Sequence, residues 1–134
     1  MRKSAEEEGK RWLEQAEEDL KWAGYLAQGG GYYLSCFLAQ QVGEKALKAY
    51  LYVQGEEIVL GHSIGKLCER AGEFDSHFLE KRSKWSILDS YYTTTRYPNG
   101  LPEDIPARVY NKEAAQTALA LASEIVEVVK RRLK

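Results

Sequence analysis

The chain has 134 residues, 44% of them hydrophobic, with 19 basic and 20 acidic side chains and a formal charge of −1. That balance excludes a global positive field that would draw the protein onto a phosphate backbone, so any nucleic-acid contact must use a local patch. The length suits one domain able to bury roughly two-thirds of its unfolded surface, without a disulfide or metal staple.

The amino terminus begins Met1-Arg2-Lys3-Ser4-Ala5-Glu6-Glu7-Glu8, with no apolar core of a signal peptide, and no run reaches the ~18 apolar residues of a membrane span. A soluble, cytoplasmic protein is expected. Ser4 with Glu7 forms a capping box. Behind it Trp12, Ala16, Leu20, Ala23 and Leu26 recur at helical spacing, predicting a first helix over about 5–28 that Gly29-Gly30-Gly31 stops.

A second helix is predicted over 32–54, ended by Gly55. Projected at 100° per residue, Cys36, Ala39, Val42, Ala46, Leu47, Ala49, Tyr50 and Val53 cover more than half its circumference. Gln41, Glu44, Lys45 and Lys48 fall in one narrow polar stripe. A helix apolar around most of its surface belongs in the middle of a bundle, and the stripe is then left for polar work or a polar partner. The plainer account is an ordinary Glu44–Lys48 ion pair on a solvated face, worth about 0.2–0.5 kcal/mol.

Residues 56–61 read as a connection, after which Ser63 caps a short helix with Ile64, Leu67 and Cys68, ending near Gly72. Asp75 or Ser76 opens the next helix, whose stripe of Phe78, Trp85, Leu88 and Tyr92 predicts one continuous element to about Thr95. All three prolines fall within 96–110, which predicts an irregular loop. Asn111 then caps a last helix marked by Ala115, Ala118, Leu119, Ala122, Ile125, Val126 and Val129. Four long helices and one short one, with no period-2 alternation and no repeat, predict an all-α fold: an antiparallel up-and-down four-helix bundle spanning 1–134 as a single domain.

Three segments, taken in order, resemble a known family. They are the run from Gln40 to Leu51, then Gly61-His62-Ser63-Ile64-Gly65-Lys66-Leu67, then Arg96-Tyr97-Pro98. Together with Trp12, Ala16, Asp19, Leu20 and Ala23 they look like a HEPN domain, and the likeness covers nearly the whole chain. The resemblance implies a small helical domain, often a homodimer, commonly found beside a minimal nucleotidyltransferase and similar to the helical domain of kanamycin nucleotidyltransferase. It also implies that Arg96, Tyr97 and Pro98 occupy a signature position.

The side chains themselves leave several chemistries to weigh. Arg96 offers a planar fork for phosphate or carboxylate and Tyr97 a face for a base. The alternative is that Arg96 pairs with Glu103 or Asp104 while Tyr97 packs on the bundle. His62 can act as acid, base or ligand, or simply cap a turn. The surrounding Gly61-His62-Ser63-Ile64-Gly65-Lys66 fails as a phosphate loop, because its glycines are one residue too close and Leu67 replaces the Ser/Thr that would hold magnesium. Nucleases of the family carry an Arg, four to six residues, and a His; Arg70 and His77 meet that spacing, though chance supplies such matches readily and Ala71 stands where a polar residue is usual. Two histidines with fourteen residues between them, without paired cysteines, cannot form a zinc site, and no cofactor is expected. Cys36 and Cys68 read as reduced, buried side chains. Lys81, Arg82, Lys84 and the terminal Lys130-Arg131-Arg132-Leu133-Lys134 are the basic clusters, the latter explained by the negative end of a helix dipole.

The leading expectation is a module without catalysis of its own, a homodimer whose groove of Gln41, Glu44, Lys45, Lys48, His62, Arg96 and Tyr97 binds a nucleotide, a minimal nucleotidyltransferase partner, or both. The alternatives are a metal-independent RNA-cleaving toxin, through Arg70 with His77 or through Arg96 with His62, and a purely structural dimer.

Overall fold

The structure, a computed structural model, describes residues 4–133. Every regular element among them is helical: α1 (Ala5–Gln28), α2 (Tyr32–Val53), α3 (Ile64–Ala71), α4 (His77–Trp85), α5 (Tyr91–Thr94), α6 (Pro106–Val109) and α7 (Lys112–Arg132). The three caps read from the sequence are formed. Ser4 Oγ accepts from Glu7 N at 3.1 Å, Ser63 Oγ from Lys66 N at 3.2 Å, and Asn111 Oδ1 from Ala114 N at 2.9 Å. Each satisfies an amide that the first helical turn leaves without a partner.

α2 is the axis of the molecule. Its Cys36, Ala39, Val42, Ala46, Leu47, Ala49 and Leu51 are fully buried, because α1, α7 and the segments between α3 and α5 surround it. α1 runs antiparallel to it and comes closest at Gly9, where an added Cβ would lie 2.1 Å from Val53 Cγ2 and 2.8 Å from the Ala49 carbonyl oxygen. α7 contributes Ala115, Ala118, Ala122, Ile125 and Val129 to the same core.

The element expected as one helix to Thr95 is segmented. After α4 the backbone tightens into a 3₁₀ turn over Ser86–Ser90 before α5 resumes. Ser86 Oγ bonds the Ser83 carbonyl at 3.2 Å and Ser90 Oγ the Ile87 carbonyl at 2.8 Å, hydroxyl-to-backbone bonds that compete with the α-helical ladder. The tightening also brings Asp89 onto the start of α3, where its carboxylate accepts from Ile64 N at 2.7 Å and Gly65 N at 3.0 Å. The segmented rod still runs antiparallel to α2, since Phe78 lies on Tyr50 and Tyr92 faces Phe37. The proline-rich stretch is likewise more ordered than its sequence suggested. It holds a 3₁₀ turn over Pro98–Gly100 and the single-turn α6, in which Pro106 takes a first-turn position where no amide is missed.

Cys36 and Cys68 are free thiols, and burial pushes the first up to about 11 and the second to about 12, so neither is a ready nucleophile. Among the described residues no helix is long and apolar enough to cross a membrane.

Candidate functional site

The polar stripe of α2 is roofed on both sides rather than solvated. Towards α1, Lys45 Nζ meets Asp19 Oδ2 at 2.5 Å, and Lys48 Nζ stands 5.7 Å from the centre of the Trp12 ring. The side chains of Glu44 and Lys48 are each only 7% exposed and pair at 3.0 Å. The plain account of a solvent-facing i,i+4 pair therefore does not describe them. A buried pair of this kind must satisfy its remaining hydrogen-bonding groups or carry a desolvation cost. Glu44 Oε2 takes a second partner, His62 Nδ1, at 3.1 Å, while Oε1 is buried with no partner among the described residues. Gln41 Nε2 donates to Gln40 Oε1 at 2.9 Å at the edge of the stripe.

His62 follows Gly61, whose φ of +98° turns the chain in a way side-chain-bearing residues rarely adopt. Its backbone is then fixed by Gln40, which donates Nε2 to the His62 carbonyl at 2.8 Å. The ring stacks on Tyr92 with centroids 5.2 Å apart and planes 18° from parallel. Arg96, one turn beyond Tyr92 on the same rod, donates Nε to the Tyr92 carbonyl at 2.8 Å. Its guanidinium carbon lies 4.7 Å from the Tyr92 ring, 4.9 Å from Phe37 and 5.3 Å from Tyr97. No carboxylate pairs with Arg96 among the described residues. Asp104, one of the acids expected to hold it, is engaged by Arg108 at 3.1 Å instead.

Trp12, Lys48, Glu44, His62, Tyr92, Arg96 and Tyr97 thus form one continuous chain of contacts, with α2 as its floor. Six of the seven residues read from the sequence as a groove, namely Glu44, Lys45, Lys48, His62, Arg96 and Tyr97, lie along it or beside it, and Gln41 borders it. Beside its α1 end is a shallow hollow of about 270 Å³ lined by Arg11, Trp12, Gln15 and Lys45. Phe37 and Tyr92 were not read as site residues. Tyr92 sits in an apolar stripe, Phe37 lies on the polar face of α2 one turn before Gln41, and only the fold reveals that their rings carry Arg96.

Arg70 and His77 are held by different carboxylates. Arg70 pairs with Glu56 and also donates to the Leu60 carbonyl at 3.4 Å, whereas His77 Nδ1 faces Glu80 Oε2 at 3.3 Å. The His77 amide donates to Asp75 Oδ1 at 3.0 Å, and this bond first, with Arg132 second, holds the Asp75 carboxyl below its ordinary range. No group of three or more metal-binding side chains occurs among the described residues.

The HEPN domain model matches residues 10–132. The chain belongs to the HEPN domain family. A relative from Methanocaldococcus jannaschii, named as the candidate toxin MJ1304, is 31% identical over 133 residues, covering 93% of this chain and 88% of that protein. The crystal structure of TT1696 from Thermus thermophilus superposes with a TM-score of 0.82 at 36% identity, covering 92% of this chain and 96% of that one. The structure of ST0689, described as an archaeal HEPN homologue, gives a TM-score of 0.75 at 35% identity over 99% of this chain and all of its own. The likeness drawn from residues 40–51, 61–67 and 96–98 is therefore a true family relationship, and the helical fold agrees with this HEPN protein's relatives.

Proposed function

We propose that this HEPN protein is a recognition module that pairs with itself and binds a nucleotide, a minimal nucleotidyltransferase partner, or both, the partner supplying the chemistry. The observation that carries this reading is Arg96: its guanidinium is fixed over three aromatic rings yet paired with no carboxylate among the described residues. An arginine held in this way has its donors organised in advance for a phosphate or carboxylate, while the half-exposed Tyr97 ring offers a face on which a base can stack. Exposed Ile58, Leu60 and Ile87 support association with another protein surface.

Calorimetric titration with ATP tests the nucleotide part. Binding is expected for the wild type and at least tenfold weaker binding for Arg96→Ala; equal affinity in the two proteins would remove Arg96 from the reading. Light scattering after size exclusion tests self-association, and affinity capture from the native host tests the nucleotidyltransferase partner.

A second reading, metal-independent RNA cleavage, is supported by the relative named as a candidate toxin and by the contact of His62 and Arg96 with one tyrosine ring. A histidine can move the proton of a ribose hydroxyl and an arginine can stabilise phosphate charge. Incubation with single-stranded and structured RNA separates the readings. Cleavage abolished by His62→Ala or Arg96→Ala would support the nuclease at this site, and cleavage abolished by Arg70→Ala or His77→Ala would place it at the other pair.

A further inference from the structure

We infer that Glu44 is a positioning residue that fixes the tautomer of His62 and so sets which ligand group the groove accepts. This rests on the reading of the groove as a nucleotide site. Glu44 Oε2 takes the Lys48 ammonium at 3.0 Å and the His62 Nδ1 at 3.1 Å. An ionised carboxylate only accepts hydrogen bonds, so the neutral imidazole must carry its proton on Nδ1. Nε2 is then a bare acceptor, and it has no partner among the described residues on a side chain that is 60% exposed. Gln40 fixes the His62 backbone through its carbonyl, and stacking on Tyr92 holds the plane of the ring.

The consequence is a site with two opposite demands. At Arg96 it presents donors and calls for an anion. At His62 it presents a lone pair and calls for a hydroxyl or an N–H. The His62 ring centroid and the Arg96 guanidinium carbon lie 5.2 Å and 4.7 Å from the centroid of the Tyr92 ring, which puts them no more than about 10 Å apart, within the span of a mononucleotide. The class that fits is a nucleoside phosphate whose phosphate sits on Arg96 and whose ribose hydroxyl or exocyclic amine donates to His62 Nε2. Inorganic phosphate or a ligand without a donor satisfies only half of the groove.

Nitrogen-15 spectra of the ligand-free protein at about pH 8, where an ordinary imidazole is neutral, decide the tautomer. Protonated Nδ1 and bare Nε2 are expected, and a His62 that carries its proton on Nε2 would overturn the inference. Titration then compares AMP, 2′,3′-dideoxy-AMP, which lacks the ribose hydroxyls, and purine riboside 5′-monophosphate, which lacks the exocyclic amine. One of the two analogues should bind roughly tenfold weaker than AMP, the loss of a hydrogen bond to a fixed acceptor, and should fail to shift the Nε2 resonance. His62→Phe should erase that discrimination while the remaining affinity still depends on Arg96. Glu44→Gln, whose amide can turn a donor to the ring, should shift the tautomer and shrink the discrimination in a protein with an unchanged helical spectrum. Equal affinity of the wild type for all three nucleotides would overturn the inference. If AMP does not bind at all, the nucleotide reading and its ligand rule fail together, whereas the ligand-free spectrum still decides the role of Glu44.

Discussion

Glu124 shows how a single side chain on α7 ties two elements together. Lys84 Nζ donates to Oε2 at 2.9 Å and the Trp85 indole N–H to Oε1 at 2.9 Å, with Lys81 at 3.2 Å from the same carboxylate. The hydrogen bond from Lys84 first, then that from Trp85, lowers its pKa from 4.5 to about 2. A carboxyl held below its unfolded value adds stability that is fully present above about 4.5 and is lost as pH falls towards about 2. Glu124→Gln should therefore cost about 1–3 kcal/mol at neutral pH. In denaturant titrations across pH, the gap between the two proteins should narrow below about 4.5; a gap that stays constant would mean the carboxylate charge is not what α7 offers α4. The Lys81, Arg82, Lys84 cluster is accounted for in the same way, with Arg82 on Glu69 at 3.1 Å, which leaves it little free charge for nucleic acid.

At the scale of the element, two contacts set where helices can start and how closely they approach. Asp89 caps α3 from a distant part of the chain, accepting from two backbone amides and, at 3.2 Å, from the Ser63 hydroxyl. Asp89→Ala should destabilise the fold by about 1–2 kcal/mol through those amides, and hydrogen exchange should quicken first at Ile64 and Gly65. Gly9 is the other point. Alanine is the better helix former by about 1 kcal/mol, yet its methyl would press on the Ala49 carbonyl, a backbone atom that cannot rotate away. Gly9→Ala should therefore lose about 1–3 kcal/mol despite the propensity gain, and a stabilised variant would show that α1 slides freely on α2. These cases also mark what the sequence could reveal. α1 and α7 were legible because local periodicity and side-chain caps within three residues specify them, and α2, which has no side-chain cap, because its periodicity runs between two flanking glycines. The break at Ser86–Ser90 was not, because Leu88 continues the apolar stripe while Asp89 is drawn away by α3, some 25 positions earlier in the chain. The site follows the same rule. Glu44 and Lys48 announced themselves by sharing a helix face, but the meeting of His62, Tyr92 and Arg96 depends on how a loop and a broken rod settle over α2.

The described residues share one contiguous core, running from Leu13 and Ala16 on α1 through Val42, Ala46 and Leu47 on α2 to Phe78, Trp85 and Ile125. Because α2 contributes to that core around most of its circumference, damage at its centre cannot be confined to one neighbour. The groove shares this dependence: Glu44 sits between Gly43 and Lys45 on the same turn, and a Cβ at Gly43 would already lie 2.8 Å from Ile64 Cδ1 and 3.0 Å from Ile125 Cδ1. Leu47 is fully buried there, and Leu47→Ala should cost about 2–5 kcal/mol from lost transfer energy and the cavity left behind. The more telling expectation concerns cooperativity. Trp12 reports from α1 and Trp85 from α4, so tryptophan fluorescence and far-ultraviolet ellipticity should move to lower denaturant together, with an unchanged slope. If the variant instead splits into two transitions, α1–α2 and the α3–α5 rod are separable units, and the polar chain from Trp12 to Tyr97 would span a seam that can open without global unfolding.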